Sequence, residues 1–317
     1  MILWRLEQGF AAKPRLTPAL AGRAGARYGK AMPELPEVET VRRGLEPTLK
    51  GARLARVEAR RPDLRFPLPQ DFVHRLTGAT IEALDRRAKY LLARLDTGET
   101  LVMHLGMTGR FEIEQGAVEA PGRFHYAAPV GGKHAHVVFE TAAGRRVTYS
   151  DARRFGFMDL IRTDKLAEHP WFKGMGPEPL GRDFTADGLK AALAGRIQAI
   201  KLMLLDQRIV AGLGNIYVCE ALHRARISPF TPAGQVSRAR LVRLVEAVRE
   251  VLIEAIAAGG SSLRDYVGAD GELGYFQHNF RAYGREGQSC LRPGCKGVIA
   301  RKVQGGRSTF YCPVCQT

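Results

Sequence analysis

Val38, Val41 and Leu45 recur at helical spacing behind Pro36, which suits a first helical turn, while Glu37 and Glu39 complement the positive end of a helix. Residues 36–49 are therefore predicted as a helix. Beyond Gly51 the pattern changes to short alternating or β-branched runs around Leu54–Ala59, Thr80–Leu84, Tyr90–Leu95, Thr100–Leu105, His136–Glu140, Arg146–Tyr149 and Phe157–Ile161. Thr97-Gly98 and Ala143-Gly144 supply turns between neighbours. Residues 33–164 thus read as an antiparallel β-sandwich with flanking helices.

Residues 165–181 are rich in Pro and Gly (Pro170, Gly174, Gly176, Pro177, Pro179, Gly181) and read as a linker. A helical region follows over 182–260. Its clearest period starts at the N-cap candidate Ser237, runs through Leu241, Leu244, Val245, Val248, Val251, Leu252 and Ile256, and stops at Gly259-Gly260. Residues 261–289 are Gly-rich and polar, too long for a simple connection, and read as a functional loop. The fold class is α+β.

The chain has 317 residues and a net charge of +16, which points to a polyanionic partner such as a phosphate backbone. Residues 1–31 carry six basic side chains and one acid without an apolar period, so removing them takes the charge only from +16 to +11. They lack the apolar stretch of a secretory signal. Residues 1–32 are read as an extension that is disordered or not in the mature protein. Apolar runs are too short to span a bilayer, and nothing suggests a coiled coil or repeat surface, so a monomer away from membranes is expected.

Four of the five cysteines fall in the last 28 residues. Cys290 and Cys295 enclose four residues and Cys312 and Cys315 enclose two, a spacing that suits one tetrahedral zinc with sulfurs about 3.5–4 Å apart. Four thiolates leave no open position, so the Zn2+ is structural. Val298–Val303 and Ser308–Tyr311 are predicted as the strands of a zinc ribbon over 290–317, and Cys219, among apolar neighbours, as a core thiol.

Pro33–Thr40, Arg86-Arg87-Ala88-Lys89-Tyr90-Leu91, His104–Gly109, Asp151–Gly156, Gly176–Leu180, Gly212–Tyr217 and Gly305–Cys315 occur in the order and spacing of one family. Together they resemble formamidopyrimidine-DNA glycosylase over essentially all of residues 33–317. The resemblance implies a bacterial, cytoplasmic, nucleoid-associated repair enzyme acting on damaged double-stranded DNA. It also implies a catalytic β-sandwich, a helix-two-turn-helix DNA-binding domain over 182–260, a lesion-recognition loop over 261–289 and a zinc finger. The activity implied is a bifunctional glycosylase/AP lyase that removes 8-oxoguanine and formamidopyrimidines and cuts the abasic strand by β,δ-elimination.

The chemistry fits the residues. A chain that starts at Met32 and loses it presents the Pro33 secondary amine, whose attack on C1′ of deoxyribose forms a cationic iminium. That cation acidifies the C2′ proton, so elimination follows base loss. An α-amino group has a reference pKa of about 8, against about 10.4 for lysine, and so is more often neutral at pH 7. By resemblance Glu34 is the acid/base at the opening sugar, with Glu37 supporting the same pocket. Lys89 resembles the lysine that assists β-elimination, and Arg307 the arginine linked to δ-elimination.

A base inside the stack cannot reach a nucleophile, so the duplex has to be opened and the void filled. Met107, Arg153 and Phe155 resemble the void-filling trio. His134, Arg153, Arg196, Lys201 and Asn215 are the expected DNA contacts, Asn215 at a glycine turn that opens a helix. Two features depart from the family pattern: the extension, which would block the Pro33 amine, and the four-residue first knuckle, where many relatives have two. Two competing readings stand beside the first. One is the endonuclease VIII type, acting on oxidised pyrimidines, which Leu35–Thr40 and the 261–289 loop disfavour. The other is a zinc-ribbon DNA-binding protein without catalysis, which follows if the chain keeps its extension.

Overall fold

The computed structural model describes residues 32–114, 132–261 and 275–317. The extension up to residue 31 and residues 262–274 of the expected lesion-recognition loop lie outside the described residues. Helix α1 (Leu35–Leu49) is followed by β1 (Leu54–Ala59), α2 (Phe72–Leu76), β2 (Ile81–Arg87), β3 (Tyr90–Leu95), β4 (Glu99–His104), β5 (Gly109–Glu114), β6 (Ala135–Thr141), β7 (Arg146–Asp151) and β8 (Phe157–Arg162). Helices α3 (Ala186–Leu193), α4 (Ile200–Leu205), α5 (Asn215–Arg224) and α6 (Arg238–Ala257) come next, then the hairpin β9 (Ala300–Gln304) and β10 (Arg307–Tyr311). The fold is α+β, as expected.

Two four-stranded antiparallel sheets, ordered β1-β6-β7-β5 and β2-β3-β4-β8, face each other. The period-two alternation explains why: Leu91, Ala93, Leu101, Met103 and Met158 from one sheet meet Val57, Phe111, Val137, Phe139 and Val147 from the other. Val38, Val41, Leu45 and Leu49 of α1 belong to the same core. Each such side chain gains about 1.5–3 kcal/mol from leaving water.

Leu35, one turn before Val38, instead joins a second core built from α3 to α6 and the ribbon. Its amide donates to the Gly212 carbonyl at 3.1 Å. Helix α1 therefore seats its first turn in one core and its remaining turns in the other, which places residues 33–37 between the two. Helix α6 follows its predicted course: Ser237 accepts from the Arg240 amide, and the helix closes at Gly259 and Gly260, with φ of +74° and +81°.

Two elements were not foreseen. Helix α2 is barely more than one turn, too short for a period to show. Strand β5 reads Gly-Arg-Phe-Glu-Ile-Glu: Arg110, Glu112 and Glu114 alternate with Phe111 and Ile113, but two apolar residues are too few to distinguish this edge strand, paired only with β7, from a loop.

Candidate active site

Pro33 is buried, and its nitrogen is joined here to Met32. Glu34, 3% exposed, turns its carboxylate onto the amino end of α5: Ile216 N–H donates to Oε1 at 3.0 Å and Tyr217 N–H to Oε2 at 3.4 Å. Gly214 caps α5, and a Cβ there would collide with the Glu34 carboxylate. Burial raises the Glu34 carboxyl to about 7, opposed by the Lys89 charge, reinforced by Glu37 and opposed by the two amides. The group is divided between acid and base near neutral pH.

Glu37 holds the floor of this site. Its carboxylate accepts from the Glu34 amide at 2.9 Å, from the Tyr217 hydroxyl at 2.5 Å, and from the Ser261 amide and hydroxyl at 2.8 and 2.9 Å. Gly260 lets the chain pass close to Glu37, since an added Cβ would lie 3.1 Å from Oε1.

Lys89 sits in the turn between β2 and β3, where Ala88 adopts φ +53°. The turn is pinned by Glu178, which accepts from Arg86 and Arg87 at 2.8 Å each and from the Ala88 amide at 2.6 Å. Arg86 also reaches Glu39 on α1 at 3.2 Å, so the turn and the helix that begins beside Pro33 are tied together. Burial lowers the Lys89 ammonium pKa, Glu34 raises it and Arg307 lowers it again. Lys89, Glu34 and Arg307 thus share one field.

The hairpin that carries Arg307 is held from beneath. Lys201 Nζ donates to the Ser308 carbonyl at 3.1 Å and to Thr309 Oγ1 at 2.7 Å, and Asn215 Nδ2 donates to the same Ser308 carbonyl at 2.9 Å. Lys201, expected as a phosphate contact, is 0% exposed, its charge engaged with the hairpin. Arg307 and Arg196 are exposed, Arg196 on the α3–α4 connection, and His134 is half-buried just before β6.

Met107, Arg153 and Phe155 line one cleft of about 560 Å³ together with Met32, Arg65 and His104. Phe155 is 41% exposed, and the Arg153 guanidinium lies 4.6 Å from its ring centroid. Asp151 organises both loops: it accepts from the Thr108 hydroxyl, from the Arg153 amide at 3.2 Å and from the Gly156 amide at 2.8 Å. His136 Nε2 meets the Asp151 carbonyl at 2.8 Å. Gly106, at φ +62°, passes so close to Phe155 and Gly156 that a Cβ would strike their backbone. The trio thus comes together at the mouth beside Met32.

The four cysteine sulfurs lie within 4.8 Å of one another, Cys290–Cys315 at 3.9 Å and Cys295–Cys312 at 3.7 Å. Sulfurs about 2.3 Å from a tetrahedral centre stand about 3.8 Å apart, so the cluster fits zinc. Gly297 leaves room for Cys312, because a Cβ there would lie 2.5 Å from its sulfur.

Sequence models of three domains match in register with this geometry: the Formamidopyrimidine-DNA glycosylase N-terminal domain over residues 32–158, its H2TH domain over 175–267, and the zinc finger found in FPG and IleRS over 287–317. The formamidopyrimidine-DNA glycosylase of Phenylobacterium zucineum is 70% identical over 286 residues, 90% of this chain and 100% of that protein. The chain belongs to the formamidopyrimidine-DNA glycosylase family. The homologue of Caulobacter sp. strain K31 is 68% identical over 287 residues, again 90% of this chain and all of that protein. Among solved structures, a Lactococcus lactis FPG variant bound to DNA containing Fapy-dG superposes with a TM-score of 0.78 at 36% identity, covering 90% of this chain and 100% of that one. MutM (Fpg) from Thermus thermophilus gives 0.76 at 41% identity, with 90% and 98% covered. Membership makes this chain an enzyme of base-excision repair, a DNA glycosylase with one structural zinc in its finger. Among the described residues, no helix is long and apolar enough to cross a membrane.

Sequence reading left several residues without a role: Asp151, Glu178, Tyr217, Ser261, His104 and Thr108. All but Ser261 fall inside motifs quoted for the resemblance, which was their only signal, and Asp151 and Glu178 matter most to the site. Their work is to set the shape of loops, and that work involves partners 43 and 90 residues away.

Proposed function

We propose that the chain, trimmed so that Pro33 is its first residue, excises oxidised purines (8-oxoguanine and formamidopyrimidines) from damaged double-stranded DNA and cuts the abasic strand through a Schiff base on Pro33. The Pro33 amine attacks C1′, the damaged base departs with its bonding pair, and the iminium forms. Loss of the C2′ proton then expels the 3′ phosphate, a second elimination expels the 5′ phosphate, and water releases the sugar fragment.

The observation that carries this reading is the Glu34 carboxyl, buried and held by the Ile216 and Tyr217 amides next to the residue that supplies the amine. Such a group can give a proton to the ring oxygen as the sugar opens and accept one afterwards. Lys89 stands beside it to neutralise phosphate and assist the first elimination, and Arg307, on the exposed hairpin, assists the second. Met107, Arg153 and Phe155 enter the void left by the extruded nucleotide. His134, Arg153, Arg196 and Asn215 meet phosphates, with Lys201 supporting the hairpin from inside.

The Fapy-dG complex of the Lactococcus lactis relative favours purine lesions over the pyrimidine alternative. The assignment of residues 33–164 to catalysis, 182–260 to DNA binding and 290–317 to the finger belongs to the same proposal, as do a monomeric state and a place in the bacterial cytoplasm at the nucleoid.

Borohydride trapping tests it. Protein starting at Met32 is expected to lose that residue by intact mass and to give a covalent adduct with an 8-oxoguanine duplex. The absence of an adduct from Pro33-terminal protein would overturn the reading, and a stronger adduct with thymine glycol would favour the pyrimidine type.

A further inference from the structure

We propose that His223 donates its Nε2–H to the Cys290 sulfur and, together with Arg292, fastens the first zinc knuckle to the carboxyl end of α5. His223 Nε2 lies 3.3 Å from Cys290 Sγ, and the two residues are 1% and 7% exposed. A metal-bound thiolate has lone pairs and no hydrogen, so only a nitrogen that carries hydrogen forms a bond with it. The other ring nitrogen, Nδ1, is buried and has no hydrogen-bond partner among the described residues. The tautomer protonated at Nδ1 would strand a buried donor there and turn a lone pair toward the sulfur. The Nε2–H tautomer leaves only an acceptor unpaired, the smaller penalty. A doubly protonated ring would again strand a buried donor at Nδ1.

Arg292 supplies the second fastening. It lies inside the four-residue loop between Cys290 and Cys295, and its Nη2 donates to the His223 carbonyl at 2.7 Å and the Arg224 carbonyl at 3.2 Å. Those carbonyls end α5; the His223 carbonyl also accepts from the Arg226 amide at 3.2 Å, just past the helix end. The enlarged knuckle, which departs from the two-residue spacing of many relatives, thus furnishes the side chain that closes the helix. Four thiolates give a zinc centre a net charge of −2, and a donated hydrogen bond draws density from one of them, making that sulfur a poorer base and slowing its exchange for a competitor. The amino end of the same helix holds the Glu34 carboxylate.

The test uses the full-length zinc protein and its cobalt-exchanged form. His223→Phe, which keeps the ring volume and removes the donor, is expected to move the thiolate-to-cobalt charge-transfer band to longer wavelength. It is also expected to speed zinc transfer to a chromogenic chelator by roughly tenfold, the lower end of what loss of an outer-shell partner costs. His223→Gln, whose amide nitrogen reaches the position of Nε2, is expected to restore both readouts. If His223→Phe does not fold by circular dichroism, His223→Asn, whose shorter side chain stops short of Cys290, takes its place. An unchanged band and transfer rate in the folded donor-free variant, or the same change in His223→Gln, would overturn the proposal.

Discussion

The Glu34 carboxylate accepts the Ile216 amide hydrogen at 3.0 Å across 182 positions of sequence, so the residue after Pro33 and the first turn of α5 form one unit. Helix α5 is the spine of the site. Its amino end holds Glu34, its Tyr217 hydroxyl reaches Glu37, and its buried Glu220 accepts the amides of Arg281, Ala282 and Tyr283. The candidate site, residues 281–283 and the zinc ribbon are therefore mounted on a single helix of ten residues.

The raised Glu34 pKa has a definite sign. Between its ordinary value of 4.5 and about 7 the folded protein binds the proton that the unfolded chain releases, so this group's stabilisation is full below 4.5 and is lost as pH rises through 7. Glu34→Gln is expected to match the parent at pH 4.5 and to exceed it at pH 8 by up to about 3 kcal/mol. Urea midpoints across that range check it, and equal midpoints at pH 8 would refute it. Base removal by the Pro33-terminal protein should follow a bell-shaped pH profile, because Glu34 must keep its proton while the amine, with a reference pKa of about 8, must lose one.

Gly214→Ala brings a methyl group against the Glu34 carboxylate with no backbone strain, because φ there is −138°. Expected are a loss of about 1–3 kcal/mol in thermal unfolding and a loss of base removal of at least tenfold, with undamaged-duplex affinity kept. Crowding at this one glycine separates positioning of Glu34 from DNA binding.

Glu178→Ala releases the turn that carries Lys89 and leaves Arg86 and Arg87 short of their shared carboxylate. The expected cost is about 1–3 kcal/mol in stability. Single-turnover strand cleavage should slow more than dissociation of the DNA complex accelerates, because what is lost is the aim of Lys89.

Asp151→Ala removes the common acceptor of the Thr108 hydroxyl and the Arg153 and Gly156 amides. A loss of about 2–4 kcal/mol is expected from chemical denaturation. Fluorescence of a base analogue opposite the lesion would show reduced opening, since Met107 and Phe155 lose their common frame.

Stripping zinc with a thiol-reactive mercurial and a chelator should disorder β9 and β10 and loosen the core they share with α3 to α6, while the β-sandwich, whose core contains no ribbon residue, keeps its structure. The second elimination proposed for Arg307 should fall and return when zinc is restored.

The sequence legible without structure was the part written in local rules. Periods of 3.6 and two set α1, α6 and most strands, Ser237 and Gly259-Gly260 set the ends of α6, and four cysteines at short spacing announced the metal. Lys201 shows where that reading runs out. Its charge argued for a phosphate, yet its ammonium is consumed by Ser308 and Thr309, more than a hundred positions away. Strand β5 offers only two apolar residues, Phe111 and Ile113, too short an alternation to mark a strand by itself.

Composition and local pattern determined the element types, the zinc ligands and the candidate amine, because propensity, capping and ligand spacing act over a few residues. Tertiary structure alone decided that Glu34 is buried against α5, that Glu178 pins the turn carrying Lys89, that Asp151 joins the loops carrying Met107, Arg153 and Phe155, and that His223 faces Cys290. Burial and long-range hydrogen bonding set pKa and position, and both depend on which distant segments the two cores bring together.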